Sequence, residues 1–443
     1  MDNLRFSNAQ LRKLLIPLFL EQVLNFMVGL ADTVMVSGVG EAAVSAVSLT
    51  DSINVLIIFM LTALASGGSI VYAQSVGAGR HEHAKKCVTQ LVLIVLSVST
   101  VIAVLCLVFR SGILNLLYSK VEPKVMADCK TYFLITALSY PFIGIFNAFS
   151  ALYRADGNSA LGLKVSIVMN IINIVGNALG VYLLRLGVAG VAYPTLISRV
   201  AAAVIMICLA LRSSGRIHLE RDLNYYRFDP KIASNILKIG IPTGIENSLF
   251  QFAKLCLSSL VASLGTSATA AWAVANNIAL VEYIPSSAVG IAMVTVVGQC
   301  YGAKEYEQVR HYVRKLIKIT YIFIVCIAVP LALFAKPITG IFNLSAGARH
   351  TTVILILMSS VAIFVHPPAF PLSHALRSIS DVKYTMVVAI ASVWLWRFCL
   401  SYFLVQFTPF GIYGVWVAMF VDWVFRALFF VPRLRHFYKT WNI

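Results

Sequence analysis

Apolar runs long enough to cross a bilayer alternate with short polar gaps along the whole chain. About 20 apolar residues in a helix suffice for one crossing. The runs predict twelve spans, at 11–36, 51–76, 88–110, 128–152, 160–184, 187–211, 232–262, 272–300, 311–335, 349–374, 384–406 and 411–432. None shows the short two-residue alternation of a barrel strand, so the expected fold is an all-α polytopic membrane protein. The longest polar segment, 212–231, divides six spans from six. The expected organisation is an N-terminal bundle (1–211), a cytoplasmic linker (212–231) and a C-terminal bundle (232–443).

The first span breaks the apolar pattern in an ordered way. Glu21, Asn25 and Asp32 lie at i, i+4 and i+11, roughly 0°, 40° and 20° around a helix axis. They form one polar stripe. An ionised carboxylate in hydrocarbon costs at least a few kcal/mol, so this stripe is expected to face other helices or water.

Composition agrees with a membrane protein: 59% hydrophobic, 12% charged, mean hydropathy +0.85. The net charge of +17 would suggest nucleic acid in a soluble chain. Here the basic residues crowd the gaps between spans. With the N-terminus placed in the cytoplasm, 24 of the 35 lysines and arginines fall in cytoplasmic segments, 7 in external ones and 4 within spans. That asymmetry predicts cytoplasmic termini at the cell membrane. No stacking-aromatic or basic-arm module supports nucleic-acid binding. The eight cysteines are scattered without a CxxC, which favours apolar filler over a disulfide or metal framework. The first apolar run is too long for a signal peptide and contains Glu21, so it is read as a retained helix.

The two halves repeat. IPLFLEQVLNF at 16–26 aligns with IPTGIENSLFQF at 241–252, with Pro17 on Pro242 and Glu21 on Glu246 at an offset of 225. The same offset carries Val39-Gly40 to Leu264-Gly265 and QSVGA at 74–78 to QCYGA at 299–303. RADGN at 154–158 then answers RSISD at 377–381, and GVAG at 187–190 answers GIYG at 411–414, at offsets of 223 and 224. Units with an even number of spans run parallel, related by an axis along the membrane normal, which is a transporter architecture.

These motifs give the chain a resemblance to the multidrug and toxic compound extrusion (MATE) family of cation-coupled antiporters over its whole length. It is carried by P-x-x-x-E in spans one and seven, ADTVMVSGVG ending span one, AQSVGAG and GQCYGA ending spans two and eight, and LYRADGN and LRSISD after spans four and ten. Ser380 replaces a glycine in the last of these. The resemblance implies two six-helix bundles around a V-shaped cleft, related by pseudo-twofold symmetry, and export by alternating access.

The resemblance also implies a cation site at Asp32, supported by asparagines of spans four and five. Asn170, Asn173 and Asn177 share one face of span five, and Asn147 lies in span four. Asp32 would carry a proton or ligate Na⁺, with no other cofactor or metal expected; the alternative for the amides is adhesion between helices. Glu246 begins a second candidate site, for a cation or a cationic substrate, with Glu282 as a partner for Lys254; the alternative is a buried ionic network. Glu21, Asn25 and Arg397 are candidate supports. Asp422 and Arg426 read as a local ion pair, and Arg199 as paired structurally. No acid occupies span ten, where some family members have one; His366 stands there beside Pro367 and Pro368. Prolines 141, 194, 285, 330, 367, 368 and 371 are candidate kinks.

The expected function is secondary active efflux of amphipathic organic compounds, expected to be cationic, in exchange for H⁺ or Na⁺. The expected partners are those small molecules and membrane lipids, and the chain is expected to be a monomer. No GxxxxGK[ST], HExxH or GxSxG occurs, so no enzymatic activity is expected. Two alternatives are a lipid-linked oligosaccharide flippase, short of basic residues for a pyrophosphate, and a membrane-embedded transferase, short of a catalytic motif.

Overall fold

The computed structural model describes residues 4–119, 121–212, 215–219, 226–342 and 344–443. Lys120 and Arg221, which enter the charge asymmetry, and 213–214 and 220–225 of the polar segment lie outside them.

The described residues are helical almost throughout, because a membrane leaves backbone N–H and C=O groups no partner but each other. In chain order the helices are α1 (Asn8–Ser37), α2 (Glu41–Gly77), α3 (His81–Val108), α4 (Arg110–Leu117), α5 (Pro123–Leu138), α6 (Tyr140–Ala155), α7 (Ser159–Ala178), α8 (Ala189–Arg212) and α9 (Pro230–Ala262). There follow α10 (Thr266–Gly302), α11 (Tyr306–Leu333), α12 (Ala335–Gly340), α13 (Ala346–Ala362), α14 (His366–Ala369), α15 (Pro371–Ser378), α16 (Val382–Ala391), α17 (Ser401–Phe407) and α18 (Ile412–Thr440). A π turn, Leu179–Leu183, extends α7, and a longer π segment, Ser392–Leu400, joins α16 to α17.

Ten of these stretches are long and apolar enough to cross a membrane, and α5 with α6 makes an eleventh, bent by 44°. The twelfth expected span is α9, a 33-residue helix that carries Lys231, Lys238, Glu246 and Lys254. Two expected proline kinks are breaks: Pro141 follows the α5–α6 bend, and Pro367, Pro368 and Pro371 divide span ten into α13, α14 and α15. Pro194, Pro285 and Pro330 lie inside unbroken α8, α10 and α11.

The chain forms two compact units. The first is Gln10–Gly244; the second is Ile245–Ile443 with the described residues up to Ala9. The division cuts α9 rather than the polar segment. Early α9 packs tightly on α2, where a Cβ on Gly67 would lie 2.7 Å from the backbone nitrogen of Gly240. The N-terminal residues join the second unit through hydrogen bonds: Arg5 N donates to Gln308 Oε1 (2.9 Å), Phe6 N to the Tyr312 hydroxyl (2.8 Å), and that hydroxyl to Phe6 O (2.8 Å).

Inside the first unit α2 packs on α3, α5 and α6, and α7 pairs with α8. Inside the second, α10 packs on α11, α13 and α15, and α18 packs on the π segment.

The repeat is written into the backbone. Left-handed residues recur at equivalent turns: Gly40 and Gly265, Gly79 and Lys304, Gly157 and Ser380, Gly187 and Gly411. Ser380, at φ 71°, thus holds the conformation that Gly157 holds at 96°, a region costly for a residue with a Cβ. Gly180 meets a different constraint. Its backbone lies against Gly190 so closely that a Cβ would strike the Gly190 carbonyl oxygen. Gly157→Ala should therefore cost about 1 kcal/mol, and Gly180→Ala about 2–3 kcal/mol through overpacking. Thermal unfolding of the purified protein measures both; the reverse order of the two losses contradicts this packing.

Candidate functional site

In the first unit, α1 brings a half-buried Asp32 against α7. Asn173 and Asn177 sit one helical turn apart on α7 and are both buried. Asn177 Nδ2 donates to Asp32 Oδ1 (3.0 Å) and to Asn173 Oδ1 (3.3 Å), and Asn173 Nδ2 donates to Thr195 Oγ1 on α8 (3.1 Å). The remaining carbonyl oxygen, Asn177 Oδ1, is buried with no donor among the described residues. Asp32 therefore has amide support and no paired cation in direct contact among the described residues.

A second acid shares this field. Asp51 Oδ1 on α2 accepts from Asn54 Nδ2 (3.0 Å) and from the Tyr132 hydroxyl on α5 (3.2 Å). Asn54 Oδ1 in turn accepts from the Tyr140 hydroxyl (2.6 Å), and Arg199 on α8 donates to Ser139 Oγ (2.7 Å). Asp32 and Asp51 repel one another, and Arg199 attracts both. With both acids ionised the group carries one net negative charge. Sequence reading missed Asp51 because it starts span two, where an acid reads as a helix-end residue. The signal available was its neighbour Asn54 at i+3, and Tyr132, Thr136 and Tyr140 at i, i+4 and i+8.

The other expected members of the Asp32 site go elsewhere. Asn147 Nδ2 donates to Thr62 Oγ1 on α2 (3.2 Å), and Asn170 Nδ2 to Ser166 Oγ within α7 (3.5 Å). Asn25 is exposed, without a hydrogen bond among the described residues. Glu21 is buried and takes Arg154 Nη1 on both oxygens (3.1 and 3.4 Å). The stripe on span one is thus three separate environments.

The second unit contains the repeat of that last pair. Glu246 Oε1 accepts from Arg377 Nη2 (2.6 Å), and both residues are buried. Each half therefore ties the glutamate of P-x-x-x-E to the arginine after its fourth span. The aspartates of the same turns are held as well. Asp156 accepts from the Tyr72 hydroxyl (2.9 Å) and Arg216 (3.5 Å), and Asp381 from Arg433 Nε (2.7 Å). Burial pushes the Asp156 carboxyl above its usual range, against the pull of those two donors.

Glu246, Lys254 and Glu282 are not brought together. Glu282, almost fully buried on α10, accepts from Ser359 and from Ser360 (2.8 Å) on α13. Lys254 is exposed and forms no ion pair among the described residues. The expected Glu282–Lys254 pair is absent because the two serines already satisfy the carboxylate. Arg397 donates to Asp422 Oδ2 (3.3 Å), and Arg426 Nε to Asp422 Oδ1 (3.0 Å), so the expected local pair is a buried triad. The π segment, with its extra residue in the turn, carries Arg397 towards α18. Both guanidiniums lie over the Phe250 ring, at 5.1 and 6.0 Å. His366 is sandwiched between Tyr283 (5.2 Å) and Phe370 (4.2 Å), with Trp423 edge-on. It packs aromatic rings.

Removing one partner of a buried ion pair strands the other charge, at a cost of about 3–5 kcal/mol. Glu246→Gln and Glu21→Gln should each lower the stability of the purified protein by about 3 kcal/mol. A thermal unfolding series checks this. Unchanged midpoints in both variants would remove the scaffold role.

The MatE family matches residues 17–179 and 242–403, one segment in each half. The chain is 24% identical over 424 residues to the Probable multidrug resistance protein NorM of Thermotoga maritima, covering 94% of this chain and 90% of that protein. It is 26% identical over 412 residues to the Probable multidrug resistance protein YoeA of Bacillus subtilis, covering 91% and 88%. Among solved structures it superposes on a MATE bound to MaL6 (TM-score 0.90, 21% identity, 96% of this chain and 95% of that one). It also superposes on an outward-facing multidrug resistance MATE family transporter of the MOP superfamily (TM-score 0.89, 21% identity, 96% and 95%). With the family matched in both halves and the fold reproduced end to end, this chain belongs to the MatE family of membrane transporters.

Proposed function

We propose that the protein is a secondary active exporter that moves amphipathic organic compounds out of the cell in exchange for H⁺ or Na⁺, by alternating access between its two six-span halves. Both termini are cytoplasmic in this reading. The multidrug resistance names of the relatives support the substrate class. The observation that carries the coupling is Asp32, half-buried in a spanning helix, with an amide donor on one oxygen and Asn177 Oδ1, which has no donor among the described residues, nearby. A proton neutralises such a carboxylate; a sodium ion takes oxygen ligands from it and from the amides. Either changes the local charge by one unit, and a cation that prefers one facing state shifts the population towards it. Asp51 and Arg199 set the field in which this happens. Asn173 and Asn177 orient the carboxylate. Glu246 belongs to the scaffold in this reading, and so do Glu282, which accepts from Ser359 and Ser360, and the Arg397–Asp422–Arg426 triad.

Proteoliposomes loaded with a cationic dye test this under imposed pH or Na⁺ gradients. Asp32→Asn should reduce gradient-driven efflux at least about tenfold, the usual span of a coupling free energy. Glu246→Gln should keep efflux per folded molecule within about threefold of the wild type. Efflux that ignores both gradients, with Asp32→Asn as active as the wild type, would overturn the antiport reading.

A further inference from the structure

At the start of α11, Glu307, Arg310, His311, Arg314, Lys315 and Lys318, with Ile443, line a cavity of about 670 Å³. It lies wholly within the second unit. Four of its residues are basic and one is acidic. Two of its nitrogens, Arg310 Nε and His311 Nε2, are buried without an acceptor among the described residues. The Arg310 guanidinium lies over the Tyr438 ring at 5.9 Å, and the buried Tyr438 hydroxyl has no hydrogen-bond partner among the described residues. Lys315 also reaches outside the cavity, donating to Asn8 Oδ1 (2.6 Å). Among the described residues the cavity therefore presents donors and positive charge with too few acceptors to balance them.

The same helix face continues past the cavity. From Glu307, the spacing to 310, 311, 314, 315 and 318 keeps these residues on one side of α11. Ile322, Val325 and Val329 continue that side, and they are exposed by 63%, 44% and 45%. Val329 lies eleven positions past Lys318, which is roughly 16 Å of helix, about half of a 30 Å hydrocarbon core. A cationic, donor-rich hollow is followed by an apolar strip one leaflet long.

We infer that this face is a binding site for one anionic phospholipid, with its phosphodiester headgroup in the cavity and its acyl chains along Ile322, Val325 and Val329. The apolar strip is what favours a lipid over a soluble phosphate, which would need the cavity alone. The site lies where residues 4–9 dock on α11, so lipid occupancy reinforces that end of the second unit. It uses none of the residues assigned to coupling, and it depends on the membrane-spanning character of α11, not on the direction of transport.

Native mass spectrometry of the full chain in detergent tests it, titrated separately with phosphatidylglycerol and phosphatidylcholine. The wild type should hold one phosphatidylglycerol at least about tenfold more tightly than phosphatidylcholine. Each basic residue near an anionic headgroup contributes about a fivefold factor, so Arg314→Gln with Lys318→Gln should weaken phosphatidylglycerol about 20-fold or more. Lys318→Gln alone, at an exposed position, should give about fivefold if the pair does not fold. Ile322→Ser, which leaves every charge in place, should weaken the lipid and leave binding of inorganic phosphate unchanged. Equal affinity for the two lipids, or full affinity for phosphatidylglycerol in the charge variants, overturns the site. Full displacement of the lipid by millimolar inorganic phosphate, with Ile322→Ser silent, overturns the lipid and assigns the cavity to a soluble phosphate.

Discussion

A carboxylate inside a membrane-spanning helix must find its counterpart within the protein, because hydrocarbon offers neither water nor ions. The architecture follows from how each acid meets that demand. Glu21 and Glu246 take an arginine apiece, Arg154 and Arg377, from the turns that follow the fourth span of each half. Asp422 takes two, Arg397 and Arg426. Glu282 takes two serine hydroxyls. Asp32 takes a single amide. A fully paired acid is costly to disturb and therefore holds helices in place. An acid with one neutral donor is the one whose charge a proton or a sodium ion can remove at least cost.

The internal repeat sharpens the contrast. The Glu–Arg pair survives in both halves, at offsets of 225 for the acid and 223 for the base. The left-handed turns survive too, even where Ser380 has to adopt a conformation better suited to glycine. The Asp32 site does not. Asp32 corresponds to Leu257 at the common offset, and Asn173 corresponds to Arg397 at 224. One half thus places amides and acids where the other places a guanidinium. In the proposed reading the repeated features build the scaffold, and the broken ones carry the coupling chemistry.

Much of this is legible in the sequence. Spans, repeat and the equivalence of Glu21 with Glu246 follow from periodicity and spacing, which are local. The Glu–Arg pairs were half legible: both partners stood in repeated motifs, yet nothing local joined residues 131 to 133 positions apart. Asp51 stayed hidden because a polar residue at the start of a span needs no special explanation. Asn147 and Asn170 were drawn towards Asp32 by residue type, but side-chain direction took them to Thr62 and Ser166. The α5–α6 bend and the π segment that carries Arg397 are departures from ideal helix geometry, and the hydrophobic pattern reports only the average helix.

The central claim is that one coupling cation binds at Asp32. Cation binding by the purified, substrate-free protein measures it most directly, as protons taken up in a pH titration or as radioactive sodium retained at equilibrium, with the wild type and Asp32→Asn compared in the same buffers. The expected result is one equivalent of H⁺ or Na⁺ bound by the wild type and absent from Asp32→Asn, with Glu246→Gln retaining it. Equal binding by the wild type and Asp32→Asn would contradict the claim.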